Sequence, residues 1–306
     1  MNEYRAYRPN RPQVKPARGH GRLKLILALV VVAAITVGCF RVLGDHKISN
    51  ISALSKIVSH NQPKTITPLV LDRTRETIMA SKIKDAIKAY PDMGIGVAIE
   101  DLNDRKIYTY GLTEPFIAAS VGKLITATMY LQGSESGKYS LSRHLSYGTA
   151  GYELQRMIII SDNTAWDDLA RVLTHRGMEA YMQALGVTDY DPSDNTLAPA
   201  DIALLLGKLY KGELLNSADT QLLLSYMQQA DYSTYIPASV PPRINVYHKA
   251  GWLGDRVHDA AIIDNGRHPY VLVIFSKMNS GGTYNTTEGH QLYATITTAT
   301  LNAFTQ

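Results

Sequence analysis

Cysteine is almost absent from the chain: the 306 residues include one, Cys39, so no disulfide can form within it. The nine histidines are scattered, and the sequence contains neither an H-E-x-x-H segment nor a Cys/His cluster. Structural zinc sites are built from such clusters. The chain is therefore expected to work without a metal and without a cofactor.

The chain has a net charge of +4, but the part that follows residue 24 has no excess of positive charge. Residues 1–24 carry seven lysines and arginines and one glutamate, a net charge of +6, so the remainder carries −2. The positive charge belongs to this tail, and no nucleic-acid partner is expected. Hydrophobic residues make up 45% of the chain, which is enough for a packed core.

A long apolar run follows the basic tail: Leu25–Phe40 contains no charged residue. Extended to residue 43, it approaches the length of about 20 residues that crosses a bilayer. Because the basic flank is N-terminal, residues 1–24 are expected in the cytoplasm and the body of the chain outside. We therefore predict a single-pass protein of the cell membrane, anchored through residues 25–43.

Two alternatives to an uncleaved anchor stay open at this point. The run also has the character of the apolar centre of a cleaved signal peptide. Alternatively, residues 36–39 resemble a bacterial lipoprotein cleavage box, in which Cys39 becomes the lipidated N-terminus. A buried core helix is disfavoured, because the run is apolar on all sides and is heavily charged on one flank only.

Residues 44–70 are predicted to be a linker, and residues 71–306 a folded domain. The predicted helices span Asp72–Tyr90, Gly151–Ile160, Thr164–His175, Met178–Leu185, Pro199–Tyr210, Asp219–Gln229 and Gly289–Phe304, besides one that starts near Ser120. The predicted strands span Gly94–Leu102, Lys106–Gly111, Asn245–Gly251, Arg256–Asp264 and Tyr270–Ser276. We therefore expect an α/β fold, an α+β sandwich, in which N- and C-terminal segments build one antiparallel sheet. An all-helical lobe is inserted between them, and a cleft forms at the seam.

Ser120 and Lys123 are the first candidate pair. An apolar stretch leads into Ser120 and a helical pattern follows, which places the serine at the first turn of a helix. Positions i and i+3 share a helix face, so the Lys123 amine can reach the Ser120 hydroxyl and take its proton. The N–H groups of a helix N-terminus favour the developing anion. The pair alone is weak evidence, because Ser81 and Lys84 have the same spacing in a predicted surface helix.

The second candidate is the triplet Ser161-Asp162-Asn163, which follows a buried apolar run. The Ser161 hydroxyl both donates and accepts hydrogen bonds, and the Asn163 amide can bind a substrate amide. The same residue types are favoured as helix N-caps, so a structural role is the plain alternative. The triplet recurs at residues 193–195, in a proline-flanked stretch that predicts a turn.

The third candidate is the stretch Lys249–Trp252 on a predicted strand. Lys249 would attract a substrate carboxylate, and its charge would lower the pKa of Lys123. Gly251 would let a substrate backbone approach the strand closely. The plain alternative is a solvated lysine on an edge strand.

Together the three motifs, S-x-x-K, S-D-N and K-x-G, occur in an order that resembles the class A β-lactamases and the related penicillin-binding proteins. The resemblance covers about residues 70–306, including the order of strands and helices. It implies that Ser120 is the acylated nucleophile, Lys123 its base and Ser161 a proton shuttle. It also implies that substrate is bound by Asn163, Lys249 and Gly251, and that the N–H groups of Ser120 and Trp252 form an oxyanion hole.

The chain departs from that family in the residues that would bind the substrate carboxylate. Ala250 replaces the usual threonine or serine, which removes a hydroxyl. Neither Arg256 nor His258 clearly takes the role of the family's carboxylate-binding arginine. Strand alternation allows only one of Arg256 and Val257 to face the cleft.

A second departure lies in the loop at residues 186–195. Class A β-lactamases carry in this loop a glutamate that activates the deacylating water, and here the loop is short and contains none. Asp189, Asp191 and Asp194 are the possible substitutes, although turn and cap roles are favoured for all three. Hydrolysis of an acyl-enzyme is therefore expected to be slow.

These observations predict a monomeric, membrane-tethered serine acyl-transfer hydrolase. Its partner would be a peptidoglycan stem peptide ending in D-alanyl-D-alanine, a β-lactam that mimics it, or both. The missing glutamate favours a D,D-peptidase or a poor lactamase over an efficient one. The alternative is a catalytically inactive wall-binding or scaffold protein that keeps the same fold.

Overall fold

The computed structural model describes residues 70–305. The predicted basic tail, the apolar segment 25–43 and nearly all of the linker lie outside the described residues. Within residues 70–305, no helix combines the length and the hydropathy that a membrane crossing requires.

The described residues form eight helices and seven strands. The helices are α1 (Arg73–Lys88), α2 (Lys123–Glu135), α3 (Ala150–Ile159), α4 (Asn163–Leu173), α5 (His175–Ala184), α6 (Pro199–Tyr210), α7 (Ser217–Gln228) and α8 (Thr286–Phe304). The strands are β1 (Met93–Asp101), β2 (Ile107–Gly111), β3 (Phe116–Ile117), β4 (Thr196–Leu197), β5 (Asn245–Leu253), β6 (Arg256–Asp264) and β7 (Tyr270–Met278). Short 3-10 turns lie at Ala119–Gly122 and Pro237–Ser239.

Capping side chains fix where several helices begin. Asp72, Asp162 and Asn285 accept hydrogen bonds from backbone N–H groups in the first turns of α1, α4 and α8. Pro199 begins α6, where its missing N–H is not needed. The predicted elements are confirmed, and the largest shifts are early starts of α5 and α8.

Five strands form the main sheet, in the order β2-β1-β7-β6-β5. All neighbouring pairs are antiparallel, and β1 pairs with β7 from Met93–Met278 to Asp101–Tyr270. The first strand of the domain therefore lies beside its last strand, near the centre of the sheet. β3 and β4 form a small second sheet, with Phe116 opposite Leu197. The prediction of one antiparallel sheet built from both ends of the domain is confirmed.

Alternate strand residues face two separate cores, because successive side chains point to opposite faces of a sheet. Val97 and Val257 pack with buried residues of α1 and α8 on one face. Ala98 and Ala260 pack on the other face, with buried residues of α2 to α7. Since Val257 belongs to the α1–α8 side, its neighbour Arg256 points to the face covered by the helical lobe.

A buried polar chain ties the segment before β5 to the sheet. His248 Nδ1 lies 3.0 Å from Asp259 Oδ1, and its Nε2 lies 3.3 Å from Ser233 Oγ. The other carboxylate oxygen of Asp259 accepts a hydrogen bond from the Ile236 N–H at 3.1 Å. The Ser233 hydroxyl donates to the Ala230 carbonyl, so this series of hydrogen bonds ends on the backbone. Because His248 and Asp259 are 2% and 0% exposed, their side chains depend on these partners within the protein for their hydrogen bonds.

Asp259→Ala is expected to lower the free energy of unfolding by about 3 kcal/mol, because His248 and the Ile236 N–H lose their buried acceptor. Urea unfolding followed by circular dichroism measures the change. Asp189→Asn, at an exposed loop position, is the matched control and should shift stability by less than about 0.5 kcal/mol. An Asp259→Ala variant as stable as the natural chain would show that this polar chain adds no net stability.

Candidate active site

Ser120 lies where the chain passes from β3 into the helical lobe. It belongs to the 3-10 turn Ala119–Gly122, and α2 begins only at Lys123. The sequence places Ser120 at the first turn of a helix, and in the structure that turn is a 3-10 turn that leads directly into α2. Side chains at positions i and i+3 eclipse in a 3-10 turn, so the side chains of Ser120 and Lys123 still face each other. The Lys123 Nζ lies 3.0 Å from the Ser120 Oγ.

The Lys123 amine is the centre of the site. It is fully buried, 2.7 Å from the Ser161 carbonyl oxygen and 2.6 Å from the Asn163 Oδ1. The Ser161 hydroxyl oxygen lies 3.2 Å from the same nitrogen. The structure thus brings Ser120, Lys123, Ser161 and Asn163 together, from the nucleophile turn and from the start of α4.

Burial and, after it, the charge of Lys249 lower the pKa of Lys123 to about 7. A neutral amine has two N–H donors and one lone pair. The two shortest contacts of Nζ are with the carbonyl oxygens of Ser161 and Asn163, which can only accept. These contacts use the donors and leave the lone pair for the serine hydroxyls. Lys123 is therefore placed to take a proton from Ser120.

β5 is the edge strand of the sheet and passes directly beside the nucleophile turn. A Cβ atom on Gly251 would lie 2.8 Å from the Ser120 nitrogen and 3.1 Å from the Ala118 oxygen, so the approach requires a glycine. Trp252 follows and is 65% exposed. Gly251 and Trp252 thus lie next to Ser120, where they were predicted.

Lys249 is not a solvated edge-strand lysine, because its side chain is fully buried. Its Nζ donates to the Ala250 carbonyl oxygen at 3.1 Å. Burial lowers the pKa of Lys249 to about 8. Its charge acts on Lys123 in the same interior, as the third motif predicted.

Asn195 is a site residue that the sequence reasoning missed. Its side-chain amide donates to the Ala119 carbonyl oxygen at 2.9 Å. Its backbone carbonyl accepts from the Ala118 N–H at 2.8 Å. Ala119 has a left-handed backbone (φ 49°), which costs about 1–2 kcal/mol outside glycine. Asn195 therefore holds the strained turn that presents Ser120. The one sequence signal for it was the repeated Ser-Asp-Asn triplet.

Trp166 is a second residue that was missed. Its indole Nε1 donates to the Thr126 hydroxyl at 2.9 Å, which fixes the ring. The Lys123 Nζ lies 5.2 Å from the centre of that ring. Because an aromatic face attracts a cation, Trp166 favours the charged form of Lys123 and forms a wall that shields it.

Neither residue considered for the carboxylate-binding role is available for it. His258 is fully buried, its Nε2 lies 2.9 Å from the Ile117 oxygen, and its Nδ1 accepts from the Ser276 N–H. Burial lowers the pKa of His258 to about 4, so the ring is neutral at pH 7. Arg256 makes a two-pronged ion pair with Asp255, at 2.7 and 2.8 Å. His258 therefore supports β3, and Arg256 is held by its neighbour.

Of the three loop carboxylates, Asp191 has the turn role that was favoured for it. Asp191 accepts hydrogen bonds from the backbone N–H groups of Ser193 and Asp194 at 2.7 and 3.4 Å. Asp189 accepts from the hydroxyl of its neighbour Thr188 at 3.3 Å. Of the three, Asp194 lines the cavity that contains Ser120.

Two cavities include Ser120 in their lining. The first, about 390 Å³, lies along β5 and is lined by Ser161, Asn163, Ala250, Gly251, Trp252 and the Tyr232–Tyr235 region. The second, about 510 Å³, lies along α4 and the 190–195 loop, and its polar lining includes Asn163, Asp167, His175, Ser193, Asp194 and Asn195. Over residues 70–305, no group of three or more metal-ligating side chains could hold an ion.

Several solved structures share this fold. A mutant of PBP-A, in an acyl-enzyme complex with penicillin G, gives a TM-score of 0.68 at 24% identity, covering 75% of this chain and 97% of that one. A reconstructed ancestral class A β-lactamase gives 0.67 at 23% identity, covering 74% and 100%. A β-lactamase from Xanthomonas campestris gives 0.67 at 19% identity, covering 76% and 99%. The fold is that of the class A β-lactamases and PBP-A.

The sequence itself leads to the same family. The profile of the β-lactamase enzyme family matches residues 78–304, which is most of the chain. The chain therefore belongs to this family, and the resemblance drawn from the three motifs is confirmed. No curated protein matches the chain.

The Lys123 amine is expected to titrate near pH 7, because burial and Lys249 both disfavour its charged form. Lysine labelled with ¹³C at Cε allows the titration to be followed by NMR, and Lys123→Arg identifies the resonance. Lys249→Met should raise the midpoint, since it removes a like charge. A midpoint close to the value of about 10.4 for a free lysine would contradict the assignment.

Proposed function

We propose that this protein is a serine acyl-transfer hydrolase that forms an acyl-enzyme at Ser120 with β-lactams and with peptides ending in D-alanyl-D-alanine. The observation that supports this most directly is the Lys123 amine, 3.0 Å from the Ser120 hydroxyl, fully buried, with a pKa of about 7. A buried amine with a pKa near 7 is suited to accept a proton and contributes little to the stability of the fold.

Acylation follows from these contacts. Neutral Lys123 takes the Ser120 proton while Oγ bonds to the substrate carbonyl carbon. The N–H groups of Ser120 and Trp252 would stabilise the negative charge on the carbonyl oxygen, and losing one such donor typically lowers a rate about 10²–10³-fold. The carbon–nitrogen bond then breaks. The Ser161 hydroxyl, 3.2 Å from Lys123, passes the proton to the leaving nitrogen.

Charge and shape favour a substrate with a carboxylate near the scissile amide. The buried Lys249 amine supplies positive potential behind β5, and the free edge of β5 can pair with an extended peptide. Asn163 would bind the substrate amide through its side chain. The PBP-A structure with penicillin G has the same fold, which supports a β-lactam as one ligand of this chain.

Slow release of the acyl group is the third part of the proposal. The 186–195 loop contains no glutamate, and the Asp191 side chain is engaged in a turn. A D,D-peptidase or a slow β-lactamase is therefore favoured over an efficient β-lactamase. The rival function is a catalytically inactive wall-binding protein, which is motivated by Ala250, because it offers the substrate carboxylate no hydroxyl.

Incubation with penicillin G is expected to add one penicillin mass to the natural chain, seen by intact-protein mass spectrometry. Ser120→Ala should gain none, because it lacks the nucleophile, and peptide mapping should place the adduct on Ser120. Ser81→Ala, which alters the other S-x-x-K pair, is the matched control and should be labelled like the natural chain.

An unlabelled natural chain would contradict the proposal and favour the wall-binding alternative. That alternative predicts reversible binding of cell-wall fragments that Ser120→Ala leaves unchanged. Hydrolysis of a D-alanyl-D-alanine peptide by the natural chain, and not by Ser120→Ala, would exclude it.

We also propose that residues 25–43 hold the domain outside the cell membrane. The apolar run and its basic N-terminal flank support this location. The full chain should sediment with membranes and retain residues 1–43 in its intact mass, and Cys39→Ala should sediment in the same way. A mature chain that begins at a lipid-modified Cys39 would instead establish the lipoprotein alternative, and one that begins beyond the run a cleaved signal peptide.

A further inference from the structure

The cavity along α4 contains two carboxylates, Asp167 and Asp194, and opens on Ser120. Neither takes part in the acylation step derived above. Hydrolysis of an ester on Ser120 requires a water molecule to attack the carbonyl carbon, and a positioned base accelerates such a step about 10²–10⁴-fold. A carboxylate in the same cavity as the ester is suited to this role.

Asp167 is placed by the helix that also places Asn163. The two residues are separated by four positions on α4, so they share one helix face. Asn163 Oδ1 lies 2.6 Å from the Lys123 Nζ, and the Trp166 ring lies beside the same amine. The negative charge of Asp167 acts on Lys123, against the larger effects of burial and Lys249. Asp167 is therefore an exposed residue of the cavity lining whose charge reaches Lys123.

Asp194 is less well placed for this role. It belongs to a loop, and its backbone N–H forms part of the turn closed by Asp191. Asn195, the next residue, is committed to the nucleophile turn. A side chain on a packed helix holds a water more accurately than one on a loop.

We propose that Asp167 is the general base of deacylation, an inference that rests on the proposed acyl-enzyme at Ser120. Asp167 takes one proton from a water molecule as the water oxygen bonds to the ester carbonyl carbon. The bond between that carbon and Ser120 Oγ then breaks, and Oγ takes a proton from charged Lys123. Lys123, left neutral by acylation, takes that proton from solvent before this step and is neutral again after it. The product leaves as a carboxylate. The protons on Asp167 and on the product acid return to solvent.

Asp167→Asn is expected to lengthen the lifetime of the penicillin G acyl-enzyme about 10²-fold. The lifetime is measured by intact mass after free penicillin is removed. The rate of acylation should change less than about threefold, because Lys123, and not Asp167, accepts the Ser120 proton. Asp167→Glu should restore part of the release rate.

Two asparagine variants serve as comparisons. Asp189→Asn and Asp194→Asn should release the acyl group at the rate of the natural chain. Hydroxylamine, which needs less assistance from a base than water does, should release the adduct of Asp167→Asn as fast as that of the natural chain. That result separates a missing base from a blocked or distorted site.

Release from Asp167→Asn at the natural rate would overturn the role of Asp167, while the Ser120 adduct would still support the proposed function. Slower release from Asp194→Asn alone would overturn it as well, in favour of the loop carboxylate. If the natural chain forms no adduct at all, the proposed function is wrong, and the role of Asp167 falls with it.

Discussion

The burial of two lysine amines in one interior is the constraint on which the site depends. Lys123 and Lys249 are both 0% exposed, and an ammonium that leaves water without a partner is strongly disfavoured. Asp162 and Asp167 offset this for Lys123 only in part, so its pKa falls to about 7. Oxygen atoms of Ser161 and Asn163 take up the N–H groups. The same arrangement that neutralises the amine aims its lone pair at Ser120.

The sheet makes this arrangement possible. Because β1 pairs with β7, the ends of the domain meet, and β5 is left as an edge strand beside the helical lobe. Gly251 then lets β5 approach the backbone of Ser120. Asn195 holds the same turn through its hydrogen bond to the Ala119 carbonyl oxygen. His258 supports the same region by its bond to the Ile117 oxygen. Three segments that are distant from Ser120 in sequence thus hold it in place.

Much of this was readable from the sequence, for physical reasons that also explain the failures. The S-x-x-K spacing brings Ser120 to Lys123 in an α-helical turn and in a 3-10 turn alike. The predicted contact between the two residues therefore did not depend on the type of turn. Hydrophobic periodicity and the caps located the helices. Asn195 and His258 were beyond this approach, because their roles depend on long-range contacts with residues 117–119. Such contacts leave no local pattern, and a turn-forming asparagine looks the same whether or not it holds a second loop.

The two cavities divide the chemistry by charge. In the proposed reaction, the β5 side, with the buried Lys249 on that strand and Ser161 in the cavity lining, suits departure of a nitrogen next to a carboxylate. On the α4 side the lining includes two carboxylates, Asp167 and Asp194, which would suit the activation of water. In the proposed reaction, Lys123 must lose its proton in one half-reaction and supply one in the other. A pKa of about 7 allows both, because neither form of the amine is rare at neutral pH. A more basic amine would stay charged and fail in acylation, and a less basic one could not return the proton to Ser120.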